Sequence, residues 1–344
     1  MLQSQGPFGL DSDVVTDAMT GSGRDVSPDQ TPTGQAPKRR ATSAQPDSEP
    51  VAKQKPSPVT GRAAVLRACM SGYNTDMADQ RLALGLDFGT ESVRALLVDV
   101  ASGDTAGQGV AAYEHGVIDR ELPGGGGRLP VDYALQHPRD WLESAGSACR
   151  AALTNAAARG AGGVDAVARA VVGIGIDFTS CTMLPCRADG TPLCLAEPWS
   201  GVPLAWPKLW KHHGAKRATD RITAVARDRR EPWLARYGGV VGLEWFFPKI
   251  LETLTDAPDV YAAAEVWLEA GDWFVWQLVD GPFPRCDPRW LVRSTCQAGY
   301  KALWNRQTGI RRLSFCRRCI RGWATWSDAP CRARCVPPVS PPAR

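Results

Sequence analysis

Long apolar runs are missing from this chain. No stretch of about 18 consecutive apolar residues occurs in its 344 residues, so no membrane-spanning helix is expected. The first residues, MLQSQGPFGLDSD, offer neither a basic stretch nor an apolar stretch, so no secretory signal is expected. A strong charge of one sign is missing too. The net charge is +4, and nine Arg against one Asp between Asn305 and Arg344 contribute +8, which leaves −4 for the rest. A mildly acidic body suits a soluble cytoplasmic protein and argues against nucleic acid as a partner. Cysteine is too sparse for a disulfide scaffold, at 11 in the whole chain. Cys181, Cys186 and Cys194 lie in apolar surroundings and read as buried thiols of a reducing compartment.

What is present divides the chain into three. Residues 1–80 are rich in Ser, Pro, Thr, Gly, Asp and Gln. Such a composition buries too little apolar surface to offset the entropy of ordering, so this segment is expected to be a disordered extension. Residues 81–305 carry the apolar patterning of a folded domain. Residues 306–344 are a tail of Arg, Cys and Pro without an amphipathic period. The tail has the composition of a shifted reading frame or a mis-spliced end. Its Cys316, Cys319, Cys331 and Cys335 also admit a rival reading as four zinc ligands. However, CRRC and CRARC lack the turn glycines that such knuckles usually carry.

Within 81–305, LALGLDF alternates, VRALLVDV is almost wholly apolar and GQGVAAYEH follows a turn, so three successive strands are expected. Residues 137–160 read as a helix, with Pro138 at its start and Gly160 at its end. VDAVARAVVGIGIDFT (164–179) reads as a buried strand, CTMLPC continues it past a bend, and Asp189-Gly190 signals a hairpin. AWPKLWKHHGAKRATDRI, EWFFPKILETL and PDVYAAAEVWLEAGDWFVWQLVDG read as helices. The order β-β-β-α-β followed by helices predicts an α/β domain.

The turn after Asp87 carries the chemistry. Gly89, Thr90, Glu91 and Ser92 are mostly small, and the two hydroxyls add hydrogen-bond donors to those of the backbone, as a phosphate-binding turn requires. Asp87, at the end of the first strand, is placed to hold Mg²⁺ through water. No G-K-[ST] follows, so this is not a Walker loop, and the spacing is wrong for a dinucleotide fingerprint. On these residues alone, a plain β-hairpin corner stays an alternative.

GLDFGTESVRALLVD resembles the first phosphate motif of the actin/hexokinase-like sugar kinases. LPVDYALQHPRDWL, GIGIDFTSCTMLP, AWPKLWKHH, EWFFPKILETL, EAGDWFVWQL and STCQAGYKALW follow in the order found in the ribulokinases of the FGGY carbohydrate kinase family. The resemblance covers residues 81–305. It implies a ribonuclease-H-like α/β lobe with a mixed sheet and flanking helices, one of two that enclose a cleft. It also implies transfer of the ATP γ-phosphoryl group, with Mg²⁺, to a hydroxyl of ribulose or a related pentulose in the cytoplasm.

Carried over, the resemblance makes Asp87 the metal-facing acid and Gly89, Thr90, Glu91 and Ser92 the phosphate turn. It makes Ser180 and Lys301 sugar contacts, and points Asp177 toward the same cleft. A strand-edge acid is an equally good reading of Asp177. Trp206, Trp210, Trp245 and Trp273 read as core rather than as a sugar-stacking set. Leu204 stands where ribulokinases usually carry His, and Pro207 replaces an apolar residue. The family's general base is an Asp downstream of AGYK, and the adenosine-binding lobe lies beyond it. Neither has a counterpart here, so this chain alone is expected to be inactive. The alternatives are a sugar-binding remnant without turnover, or a gene fragment.

Overall fold

A computed structural model describes residues 81–125, 127–279, 291, 293–301 and 303, with Gly299, Tyr300 and Lys301 described by their backbone only. The expected extension over 1–80 and the tail over 306–344, with its four cysteines, lie outside the described residues.

A mixed four-stranded sheet in the order β3-β2-β1-β4 organises the domain. Strands β1 (Leu82–Phe88), β2 (Ser92–Asp99) and β3 (Thr105–Ala112) form an antiparallel meander, and β4 (Val171–Phe178) lies parallel to β1. The alternation of β1 and β2 puts Leu82, Leu84, Leu86, Phe88, Val93, Ala95 and Leu97 on one buried face. Helix α1 (Pro138–Ala158) covers that face with a stripe running from Trp141 through Ala145, Ala148 and Ala152 to Ala156. Its start follows from sequence. His137 is the N-cap, and its ring accepts the amide of Arg139, while Pro138 needs no amide partner. It stops before Gly160, whose φ of 93° suits glycine.

Other expectations need correction. Residues 164–169 are a short helix, α2 (Val164–Arg169), and the strand begins only at Val171. Nor is β4 buried throughout, because Val172, Gly173, Gly175 and Asp177 are exposed. Asp189-Gly190 does make a tight turn, with Arg187 N–H bonded to Thr191 O at 2.9 Å. The partner of β5 (Met183–Cys186) is nevertheless β6 (Val266–Glu269), so those residues leave the long helix expected over 258–281. What remains of it is α5 (Pro258–Ala263) and α6 (Ala270–Leu278).

Residues 206–213 are likewise not helical. Lys208 bridges to Leu135 and to Met183, and helix α3 starts only at Lys216 (Lys216–Asp228). EWFFPKILETL does form a helix, α4 (Phe246–Asp256). A second core gathers around Ile222, Trp233, Phe246, Ile250 and Trp267. A last helix, α7 (Thr295–Lys301), follows. Cys181, Cys186 and Cys194 are buried, as expected. Among the described residues no helix is long and apolar enough to cross a membrane.

Candidate functional site

The turn between β1 and β2 is closed by Gly89 N–H on Ser92 O at 2.9 Å. Its next carbonyls all turn back into the body. Gly89 O accepts Tyr113 Oη at 3.2 Å, Thr90 O accepts Gln136 Nε2 at 2.7 Å, and Glu91 O accepts the Tyr113 amide at 2.9 Å. Burial, with Asp87 and Asp140 nearby, pushes the Tyr113 phenol well up, so it remains a donor. No backbone bond among the described residues takes the amides of Thr90 and Glu91. With its carbonyls tied down and these two amides left over, the turn presents an anion-binding surface. The Glu91 side chain is exposed and acidic, so what it offers an anion is its backbone amide.

Strand register places charge beside the turn. Asp87 pairs with Arg94 on β2 and with Asp177 on β4. Arg94 Nη1 donates to Asp87 Oδ2 at 3.0 Å, and both side chains are more than half exposed. Arg94, Asp87 and Asp177 therefore form a row across three strands at one end of the sheet. Two exposed carboxylates on neighbouring strands suit a hard cation held through water. Arg94 offsets part of their charge.

The chain leaves β4 through Thr179 and Ser180, with Thr179 N–H bonded to Phe88 O at 3.1 Å. Ser180 is half-buried and sits before Cys181, which holds a left-handed φ of 71°. Such a conformation is costly for a non-glycine residue and is kept by its surroundings. Lys249 supplies much of that hold. Its buried ammonium donates to Cys181 O at 2.6 Å and Leu209 O at 2.8 Å, with Lys208 O at 3.4 Å. Burial pushes Lys249 down and Glu269, which faces it, up. Burial also raises Asp272, to about 6, and its Oδ1 accepts the Ser294 amide at 2.7 Å. Lys208, fully buried and lowered to about 8 by that burial, donates to Leu204 O at 2.9 Å. Position 204 thus does accept a polar contact, through its backbone.

Sequence reasoning missed this buried charged set under the Ser180 turn. Its signal was the charged residues inside apolar runs, as in FFPKILETL and VWLEAGDWF. Lys301 is the last residue of α7, and its side chain lies outside the described residues. The helix itself reaches β4, where Gln297 Nε2 lies 3.4 Å from Phe178 O. Trp206, Trp245 and Trp273 are core, as expected, but Trp210 is 41% exposed.

His115, His137 and Asp140 form a second cluster, with donor atoms within 4.8 Å of one another. The two imidazoles stack at 4.4 Å, only 11° from parallel. A metal bound by a histidine lies in its ring plane, and two stacked parallel planes share no such point. Asp140 instead clamps His115, accepting its backbone amide at 2.9 Å and pairing with its Nδ1 at 2.8 Å.

No protein-family model matches the chain. The ribulokinase of Shouchella clausii is 42% identical over 236 residues, which is 69% of this chain and 39% of that protein. The ribulokinase of Mycolicibacterium smegmatis is 45% identical over 227 residues, 66% of this chain and 37% of that protein. This chain thus spans less than two-fifths of the length of these curated relatives. Among solved structures, a xylulose kinase from Bifidobacterium adolescentis superposes with a TM-score of 0.51 at 12% identity, over 73% of this chain and 46% of that one. That likeness concerns the fold alone, an α/β lobe with a mixed sheet and flanking helices. With identities of 42–45% over about two thirds of its own length, the chain is a homologue of part of these ribulokinases.

Proposed function

We propose that this chain supplies the phosphate-binding turn and the pentulose-binding surface of a cytoplasmic, ATP-dependent ribulokinase. Support comes from the relatives' names and from one structural observation. The carbonyls of Gly89, Thr90 and Glu91 are all tied back, and the turn beside the row of Arg94, Asp87 and Asp177 offers donors.

In this reading, the amides of Thr90 and Glu91 and the hydroxyls of Thr90 and Ser92 bind terminal phosphate oxygens. Asp87, with Asp177 beside it, holds Mg²⁺ through water, and the carboxylates present fit such an ion. The ion supplies charge neutralisation of the phosphates. Ser180 lets the backbone approach a polyol, and Lys301 is assigned to the ketose. Lys249 fixes the turn that carries Ser180. Phosphoryl transfer is mainly a matter of positioning and electrostatics, and this constellation supplies both on the phosphate side. Because the chain spans 39% of its first relative, the proposal is for binding and positioning.

Calorimetric titration of the chain with ribulose, and separately with magnesium tripolyphosphate, tests it. Saturable binding of each is expected. Absence of both overturns the reading.

A further inference from the structure

Trp210 lies 120 positions from the phosphate turn, yet its indole Nε1 is 3.1 Å from Thr90 Oγ1. An indole N–H can only donate. Thr90 Oγ1 must therefore accept, and its own O–H proton is left to donate elsewhere. The Thr90 side chain is β-branched and stiff about χ1. One directional hydrogen bond is enough to select its rotamer.

The backbone of the same residue is held from another side. Gln136 is buried, and its Nε2 donates to Thr90 O at 2.7 Å. The indole and the amide thus grip Thr90 at its hydroxyl and its carbonyl, and the hydroxyl proton and the backbone N–H stay available.

Trp210 is itself mounted rigidly. Leu209 N–H bonds to Ala134 O at 2.9 Å, and His213 N–H bonds to Asp132 O at 2.8 Å. Lys208 exchanges both backbone bonds with Met183, at 2.8 and 3.1 Å. Lys249 then ties Leu209 O to Cys181 O, beside Ser180. An exposed tryptophan on so fixed a segment, with its only polar atom on the turn, is poorly explained by packing.

We propose that Trp210 is a positioning residue of the phosphate turn. Its indole N–H keeps Thr90 Oγ1 an acceptor, and so directs the hydroxyl proton to a phosphate oxygen of the bound nucleotide. This rests on reading residues 89–92 as a phosphate turn.

The experiment is a double-mutant cycle on the full chain, read as the Kd for magnesium tripolyphosphate and for Mg·AMP-PNP. W210F keeps an aromatic ring and removes the donor, and T90V removes the hydroxyl. Each single change is expected to weaken binding about fivefold, the worth of one hydrogen bond. The double variant is expected to be no weaker than T90V, because the indole has no role once the hydroxyl is gone. W210H, which keeps a ring N–H, is expected to regain part of the loss, and W210F is expected to bind ribulose as wild type does.

Wild-type affinity in W210F overturns the proposal, as do losses that multiply in the double variant. A wild-type chain that binds neither phosphate probe overturns the phosphate-turn reading, and the proposal with it. Melting temperatures are measured alongside. If W210F lowers the melting temperature, the comparison of W210H with W210F decides, because both lose the indole and only one keeps a donor. Equal affinities of these two variants then count against the proposal.

Discussion

Asp87 and Asp177 occupy the same register position on adjacent parallel strands, β1 and β4, and both are exposed. Neighbouring strands lie about 4.8 Å apart. Two carboxylates at that spacing repel unless a cation sits between or before them, and among the described residues Arg94 pairs with Asp87 alone. Asp87→Asn should therefore weaken magnesium tripolyphosphate binding roughly tenfold, as expected for a group that holds an ion through water. Binding of metal-free tripolyphosphate should change little or improve. Titrations with and without Mg²⁺, on wild type, Asp87→Asn and Asp177→Asn, check this. Equal metal dependence in all three would remove both acids from the site.

Gly107 and Gly109 lie where β3 meets α1, and they make the sharpest stability prediction. A Cβ on Gly109 would stand 2.3 Å from Ala148 O and 2.7 Å from Ala152 N, both backbone atoms that cannot step aside. Gly109→Ala should cost about 3 kcal/mol or more, through forced separation of helix and sheet. Gly173→Ala is the control. Nothing lies within 4 Å of its added methyl and its φ is ordinary, so stability should stay within about 1 kcal/mol of wild type. Urea unfolding midpoints of the three proteins decide. Equal midpoints would show that β3 and α1 are not this close.

These glycines also show how far the sequence could be read. β3 was legible as a strand from its pattern, but the reason for G-x-G there was not. That reason is the alanine face of α1, whose Ala148 and Ala152 lie 39 and 45 residues beyond Gly109 and Gly107. The three-strand meander and α1 were legible because alternation and capping are local. Residues 206–213 were not. Trp and Leu at helical spacing point to a helix, yet backbone bonds from Lys208 to Met183, which no local signal announces, hold the segment as a bridge and a turn instead. Val266–Glu269 was hidden for another reason. All four residues are buried, and a continuous apolar run cannot distinguish a buried strand from a buried helix. Of the proposed site, residues 89–92 and Asp87 were visible as a motif. The pairing of Asp87 with Asp177 needed the parallel register. The grip of Lys249 on Cys181 needed the tertiary fold.

His137 should make the domain sensitive to acid. Burial, reinforced by His115 and opposed by Asp140, lowers His137 from 6.5 to about 4. The folded state keeps it neutral where the unfolded chain would protonate it. Its contribution to stability is thus full above about pH 6.5 and is lost as pH falls toward 4. The groups facing it are His115, Asp140, Arg139 and the edge-on ring of Trp206. His137→Asn keeps a good helix cap and removes the titration. The stability gap between wild type and His137→Asn should shift by up to about 3 kcal/mol between pH 7 and pH 4, in favour of the variant at low pH. Chemical denaturation across that range measures it. A gap independent of pH would mean that His137 titrates normally in the fold.

Turnover is the last expectation. Tested as the 344-residue polypeptide, the chain should release ADP from Mg·ATP and ribulose far below the 1–100 s⁻¹ typical of kinases, by a factor of about 10² or more. The reaction needs in-line geometry, charge neutralisation at the phosphates and a carboxylate to take the sugar proton. In the proposed reading, the turn, Asp87 and Arg94 supply the phosphate side. Among the described residues no such base stands out beside the turn. Asp177 is the one acid beside the turn on β4, but it is registered with Asp87 and its Oδ1 already accepts the Phe178 amide at 3.0 Å. Loss of a general base alone costs about 10²–10⁴-fold, and a chain that spans 39% of the Shouchella clausii ribulokinase is expected to lose positioning contacts as well. A coupled ADP-release assay on the purified chain is the measurement. A rate in the normal kinase range would show that a base lies within these residues. Asp177→Asn would then identify it, by abolishing turnover while leaving the Kd values for ribulose and for magnesium tripolyphosphate unchanged.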